Sequence, residues 1–157
     1  MKTVSRVICI AIVVTILGSA FSTWFAPREA LAGGPTLTIK VTGARNAKGR
    51  IGIAVFQGED GFPGDTSKAL RAQQAEIDGK TLSAQVTLKD IPQGEYAVSV
   101  FHDENMNGKL DKNMLGMPKE GYGASNNPPK RMRAPTFDEA KFTLGAAEQT
   151  VEIKLIY

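Results

Sequence analysis

The stretch Val151-Glu152-Ile153-Lys154-Leu155-Ile156-Tyr157 puts Val151, Ile153, Leu155 and Tyr157 on one side of an extended chain and Glu152 and Lys154 on the other. Successive side chains of a strand point to opposite faces, so this period of two reads as a strand with one buried face. The same rhythm recurs upstream. Tyr96, Val98 and Val100 follow the turn Asp90-Ile91-Pro92-Gln93-Gly94 and lead into His102. Leu82, Ala84, Val86 and Leu88 alternate, as do Ile51, Ile53 and Val55, and Leu37, Ile39 and Val41. Phe142 and Leu144 mark one more short strand. The turn-like residues 43–49 lie between two of these runs and predict a first hairpin. Residues 67–77 read either as a short helix capped by Ser67 or as a strand. Six to seven short strands with little helix predict an all-β, antiparallel β-sandwich.

Length and composition agree with one such domain. The chain has 157 residues, of which 42% are apolar and 22% charged. That composition excludes a disordered chain and a multi-span membrane protein. The formal charge of +3 includes Lys2, Arg6, Arg28 and Glu29 of the first 32 residues. Beyond them stand 16 basic against 15 acidic residues, which gives no broad field for nucleic acid. Cys9 is the only cysteine and His102 the only histidine, so neither a disulfide scaffold nor Cys-ligated zinc is available.

The first 32 residues read as a signal peptide. Lys2 and Arg6 precede an uncharged run over residues 7–26, and Ala30-Leu31-Ala32 offers small residues at a cleavage site before Gly33. Pro27 ends the apolar helix ahead of that site. The alternative is a retained anchor, since a span needs about 20 apolar residues. Cleavage leaves residues 33–157 as a single β-sandwich domain without cysteine, suited to an oxidising compartment. The expected location is the periplasm or the medium, with no membrane association after cleavage.

Residues 103–134 break the alternation. Structureless loops beyond about 15 residues are usually functional or disordered. Met106, Leu110, Met114, Leu115, Met117 and Tyr122 argue for an ordered one. Within it, Asp103, Asn105, Asn107 and Asp111 occupy positions 1, 3, 5 and 9 of a calcium-type loop, with Gly108 at the sharp turn. Those four residues are the metal candidates and Ca²⁺ the candidate cofactor. Position 12 is Met114, so the bidentate carboxylate is missing, and Glu120 is its candidate replacement from a distance. The metal-free alternative is a set of Asx turns in which the same side chains accept backbone N–H groups.

His102, beside Asp103 and Glu104, is the candidate general base of a hydrolase. Ser125 is a conceivable nucleophile, but no nucleophile-elbow pattern is present. The plainer reading is a strand-end histidine bonded to loop backbone. Tyr122, His102 and Glu120 are the binding candidates, with Tyr122 and at least one methionine expected to lie exposed in one patch edged by His102. Lys130, Arg131 and Arg133 form a basic stretch after a proline pair, more a solvated loop than a nucleic-acid surface.

Several stretches together carry a resemblance. Gly94-Glu95-Tyr96-Ala97-Val98, His102-Asp103-Glu104-Asn105, Asn107-Gly108-Lys109-Leu110-Asp111, Leu115-Gly116-Met117-Pro118-Lys119-Glu120-Gly121-Tyr122-Gly123 and Ser125-Asn126 are similar to the exported bacterial proteins grouped as domain-of-unknown-function family 2141. The resemblance covers about residues 37–157 and implies export but no activity. Separately, Ile91-Pro92-Gln93-Gly94-Glu95-Tyr96 looks like the turn-then-Tyr step of transthyretin-like sandwiches, which implies an Ig-like or transthyretin/prealbumin-like fold and nothing about function. The expected role is a non-catalytic binding or structural module of the bacterial envelope, its partner an envelope protein or glycan, its long loop stiffened by calcium. A hydrolase using His102 with a neighbouring carboxylate is the alternative, and assembly through an exposed sheet edge a third.

Overall fold

Ten residues of one strand organise the molecule: β5, Gly94–Asp103, runs through the middle of the larger of two sheets in the computed structural model, which describes residues 34–157. The leader reading falls on residues outside that range. The smaller sheet has β1 (Leu37–Thr42) between β4 (Ala84–Leu88) and β8 (Gln149–Lys154). The larger has β3 (Arg71–Ala75), β2 (Arg50–Phe56) and β5 in that order. The far edge of β5 is shared by two three-residue strands, β6 (Tyr122–Ala124) against Ser99–Phe101 and β7 (Phe142–Leu144) against Gly94–Tyr96. Among the described residues there is one α-helix, the single turn α1 (Phe137–Ala140).

The alternation sets the faces as expected. Leu37, Ile39, Val41, Val151 and Ile153 of the small sheet face Ile51, Ile53, Val55, Tyr96, Val98 and Val100 of the large one, all buried in one core. Each such aliphatic side chain removed from water contributes about 1.5–3 kcal/mol. The Tyr96 hydroxyl donates to the Pro92 carbonyl at 2.8 Å, tying the strand back onto its own turn. The molecule is the mostly-β, two-sheet sandwich that the period of two predicts.

Partnering differs from the expectation in two places. β1 and β2 do not form a hairpin, because β1 pairs with β4 and β8 while β2 pairs with β3 and β5. Residues 43–49 instead carry the chain from one sheet to the other, about 10 Å, which seven residues span easily. The β1–β8 pair is parallel, from Leu37 opposite Gln149 to Thr42 opposite Lys154, so the sandwich is not antiparallel throughout. Alternation assigns a strand its face and leaves its neighbour open. The ambiguous residues 67–77 hold a 3₁₀ turn at Thr66–Lys68, capped by Asp65, followed by β3.

The outer face of the large sheet is half covered. Ala54, Phe56, Ala97 and Ala124 lie under Phe137 and Ala140 of α1 and form a second small core. Phe62 seals it, edge-on to Phe56 at 5.4 Å and to Phe137 at 6.0 Å between ring centres. Thr136 holds α1 with a capping box: it accepts the Glu139 N–H, and the Glu139 carboxylate accepts the Thr136 N–H. Further along the same face Phe101 and Tyr122 carry no such lid.

Candidate binding cleft

Asp103, the last residue of β5, is fully buried and builds the turn that follows it. One carboxylate oxygen accepts the Asn107 N–H at 3.0 Å and the other the Gly108 N–H at 2.7 Å. The Asn105 and Asn107 side-chain oxygens accept the N–H groups of Asn107 and Lys109. Their amide nitrogens donate to Asp111 at 2.8 and 3.0 Å. Gly108 sits at φ +76°, in the left-handed region its missing side chain permits. Glu120 staples the turn shut, one oxygen accepting the Glu104 N–H and the other the Asp111 N–H, both at 3.0 Å. The four metal candidates are thus brought together, and they satisfy one another and the backbone as Asx turns do. Among the described residues no group of three or more His, Cys, Asp or Glu side chains is arranged to hold a metal ion.

His102 points the opposite way, into the end of the sandwich, and none of its ring is exposed. The Lys48 carbonyl, 2.7 Å from Nε2, can only accept, so Nε2 carries the hydrogen. In the neutral ring Nδ1 then accepts from the Tyr157 hydroxyl at 2.7 Å, and that hydroxyl accepts the Arg45 N–H at 2.9 Å. The Arg45 guanidinium lies 4.8 Å over the Tyr157 ring and 2.6 Å from a Glu104 oxygen. Burial by itself pushes the Glu104 carboxyl up. The hydrogen bond from Asn46 and the Arg45 guanidinium together outweigh it and hold that pKa below the ordinary carboxylate value. Burial also raises the Tyr157 phenol. Gly49, at φ +70°, passes so close under the Asp103 carbonyl that a Cβ would collide with it, which fixes glycine there.

These placements revise the expected patch. Neither nitrogen of His102 is free to take a proton from a substrate, and the ring lies at no edge of the exposed surface. Glu120 is buried with both oxygens occupied, so it too presents nothing to a ligand. Ser125 is buried elsewhere, accepting the Val98 N–H and donating to the Ala140 carbonyl. Tyr122 is half-buried, while Met106, Met114 and Met132 are exposed.

Tyr122 opens onto a cleft of about 660 Å³ over the uncovered half of the outer sheet face. Roughly 300–1,000 Å³ is the usual size of a small-molecule site. Its floor is the cross-strand pair Phe101 and Tyr122. The Phe101 ring lies across Gly52, where a Cβ would come within 2.5 Å of its Cζ, so the missing side chain makes room for the aromatic floor. Leu110, Met117 and Pro118 line it, together with Met132, Ala134 and Pro135. Four cations line it, Lys109, Lys112, Arg131 and Arg133, against the single carboxylate of Asp65. Asp65 is engaged in capping, and its bonds from Ser67 hold its pKa down. Arg133 meets Glu139 with two parallel bonds at 2.8 Å, and Arg131 reaches the same carboxylate at 2.9 Å. The Arg133 bond, then the Thr136 N–H and the charges of both arginines, pull Glu139 down to about 2. Lys109 and Lys112 stand outside every ion pair among the described residues.

Sequence reasoning found Tyr122 but not Phe101, which alternation places on the polar side of β5. The available signal was a phenylalanine at an outward position opposite Gly52.

Residues 39–152 match the family model described as "Uncharacterized protein conserved in bacteria (DUF2141)". No curated protein and no solved structure matches the chain.

Proposed function

The chain belongs to the DUF2141 family, and we propose that it is an exported, non-catalytic binding module of the bacterial envelope, periplasmic or at the cell surface, whose working surface is the cleft over Phe101 and Tyr122. The observation that carries this reading is the half-covered outer face. One half is sealed by Phe62 and Phe137, while the other keeps two aromatic side chains under an open, cation-lined mouth. Proteins seldom leave a concave apolar surface with convergent charges without a use for it. The non-catalytic part rests on His102, whose two ring nitrogens hold the Lys48 carbonyl and the Tyr157 hydroxyl. Export rests on the leader-like first 32 residues.

The test is capture from envelope extract by the immobilised protein, compared with two variants at exposed lining positions, Ala134→Trp to narrow the mouth and Arg131→Glu to reverse a charge. Species retained by the parent and lost by both variants are the expected result. Capture that ignores both substitutions overturns the cleft as the working surface. Hydrolysis of a substrate panel lost in His102→Gln would overturn the non-catalytic reading.

A further inference from the structure

We infer that the cleft takes a small amphiphilic anion, an alkyl or acyl chain ending in a phosphate group, held as a single molecule rather than at a membrane surface. This rests on the binding-module reading above and specifies its ligand. The body of the ligand follows from what lines the cleft. Phe101, Tyr122, Leu110, Met117 and Met132 offer apolar contact, and methionine side chains adapt to a flexible chain. A sugar would need side-chain amides and carboxylates for its hydroxyls. The lining has no Asn, Gln or Glu, its Ser99 hydroxyl is given to the Pro63 carbonyl, and Asp65 is given to Ser67. An apolar body asks for none of these groups.

The head follows from charge. Arg131 and Arg133 share the carboxylate of Glu139, which leaves one positive charge of the two in excess. Lys109 and Lys112, also in the lining, add two more without ion-pair partners among the described residues. With the Asp65 carboxylate counted against these, two positive charges remain in excess around the cavity, which matches a phosphate carrying about −1.5 to −2 charges near neutral pH. An ammonium is a compact point charge suited to phosphate, and the exposed guanidinium of Arg131 can add a planar fork.

The test is calorimetric titration of the purified protein with dodecyl phosphate below its micelle concentration. Dodecyl maltoside, inorganic phosphate and phosphatidylglycerol vesicles serve as comparators. Dodecyl phosphate is expected to bind one to one and at least tenfold tighter than the maltoside. Inorganic phosphate at equal concentration should give no heat, and the protein should not sediment with vesicles. The double variant Lys109→Gln, Lys112→Gln should lose about tenfold or more for dodecyl phosphate and leave the maltoside unchanged. Phe101→Leu should weaken both detergents. Equal affinity for the two detergents, indifference to the lysine double variant, or binding to vesicles alone each overturns the proposal. If dodecyl phosphate does not bind while envelope species are still captured through the cleft, the ligand class fails and the binding module stands. If capture also ignores the cleft variants, both fail.

Discussion

Ala97 and Phe101 stand on the same face of the same strand, four residues apart, and have opposite fates. Ala97 is fully buried beneath α1, whereas Phe101 is only half-buried and lines the cleft. Opposite Ala97 stands Phe56, and the next row of the face is Ala54 and Ala124 either side of Ser99; these small side chains leave depth for Phe62 and Phe137 to descend onto the sheet. Around Phe101 the face already carries its own bulk, with Tyr122 opposite and the phenyl ring across Gly52. Small residues on a sheet face ask for a lid. Large ones supply contact area directly and remain available to something that is not part of the chain.

The largest effect should come from breaking the lidded half. Phe56 is fully buried there, and Phe56→Ala should cost about 3–5 kcal/mol in urea unfolding, the usual range for a buried phenylalanine. Phe101→Ala on the open half should cost about 1 kcal/mol or less, as changes at partly exposed sites without a cavity do. Similar losses at both positions would erase the distinction between the halves.

Asp103, on the same face at the end of β5, tests whether the turn beside the cleft is held from within. Each charged hydrogen bond contributes about 1.5–3 kcal/mol and the two on one carboxylate are not fully additive, so Asp103→Ala should lose about 2–4 kcal/mol in chelator. Melting curves of the parent in millimolar Ca²⁺ and in chelator should superimpose. A calcium site filled to 100 times Kd would instead add about 2.7 kcal/mol, several degrees for a domain of this size.

Gly52→Ala sharpens the comparison from below the floor. The new methyl must displace the Phe101 ring, so the variant should fold with a loss of about 1–2 kcal/mol, the usual cost of overpacking, while cleft binding falls as far as it does in Phe101→Leu.

Acid titration should give the smallest effect. Glu139 is held at about 2 against an ordinary 4.5, and Glu104 is also lowered. As pH falls through that window the unfolded chain takes up protons first, so folding loses stability. Both groups contribute fully above the ordinary carboxylate range and not at all below their folded values. Glu104→Gln should flatten this acid limb in denaturant midpoints measured from pH 5 to 2. Glu139→Gln should do so less, because that pair is exposed and salt screens it.

Much of this arrangement can be read from residues alone. The period of two gives every inward side chain of β1, β2, β5 and β8, and the Asx pattern gives the 103–111 turn. Partner choice escapes such reading, as the absent β1–β2 hairpin shows, because a face is a local property and a neighbour is set by the whole sandwich. β6 escapes because Tyr122 stands between Gly121 and Gly123, too short a run to show alternation. The role of His102 escapes for a different reason. Its partners, Lys48 and Tyr157, lie 54 and 55 residues away in sequence, and only the folded end of the sandwich joins them. Proximity to Asp103 and Glu104 in sequence suggested a base. In the fold the Asp103 side chain is buried within its own turn on the outer side of the sheet, while His102 points to the other side, into the end of the sandwich.

The parallel pairing of β1 with β8 gives the molecule a direction of mechanical strength. Tension applied between Leu37 and Lys154 runs along both strands at once, since they point the same way and pair from Leu37 opposite Gln149 to Thr42 opposite Lys154. Every rung is then sheared together instead of being peeled one after another, as an antiparallel hairpin pulled at its open end would be. A domain tethered on one side of this clamp and loaded on the other would resist stretching, with its cleft, on the other sheet, lying outside the line of force.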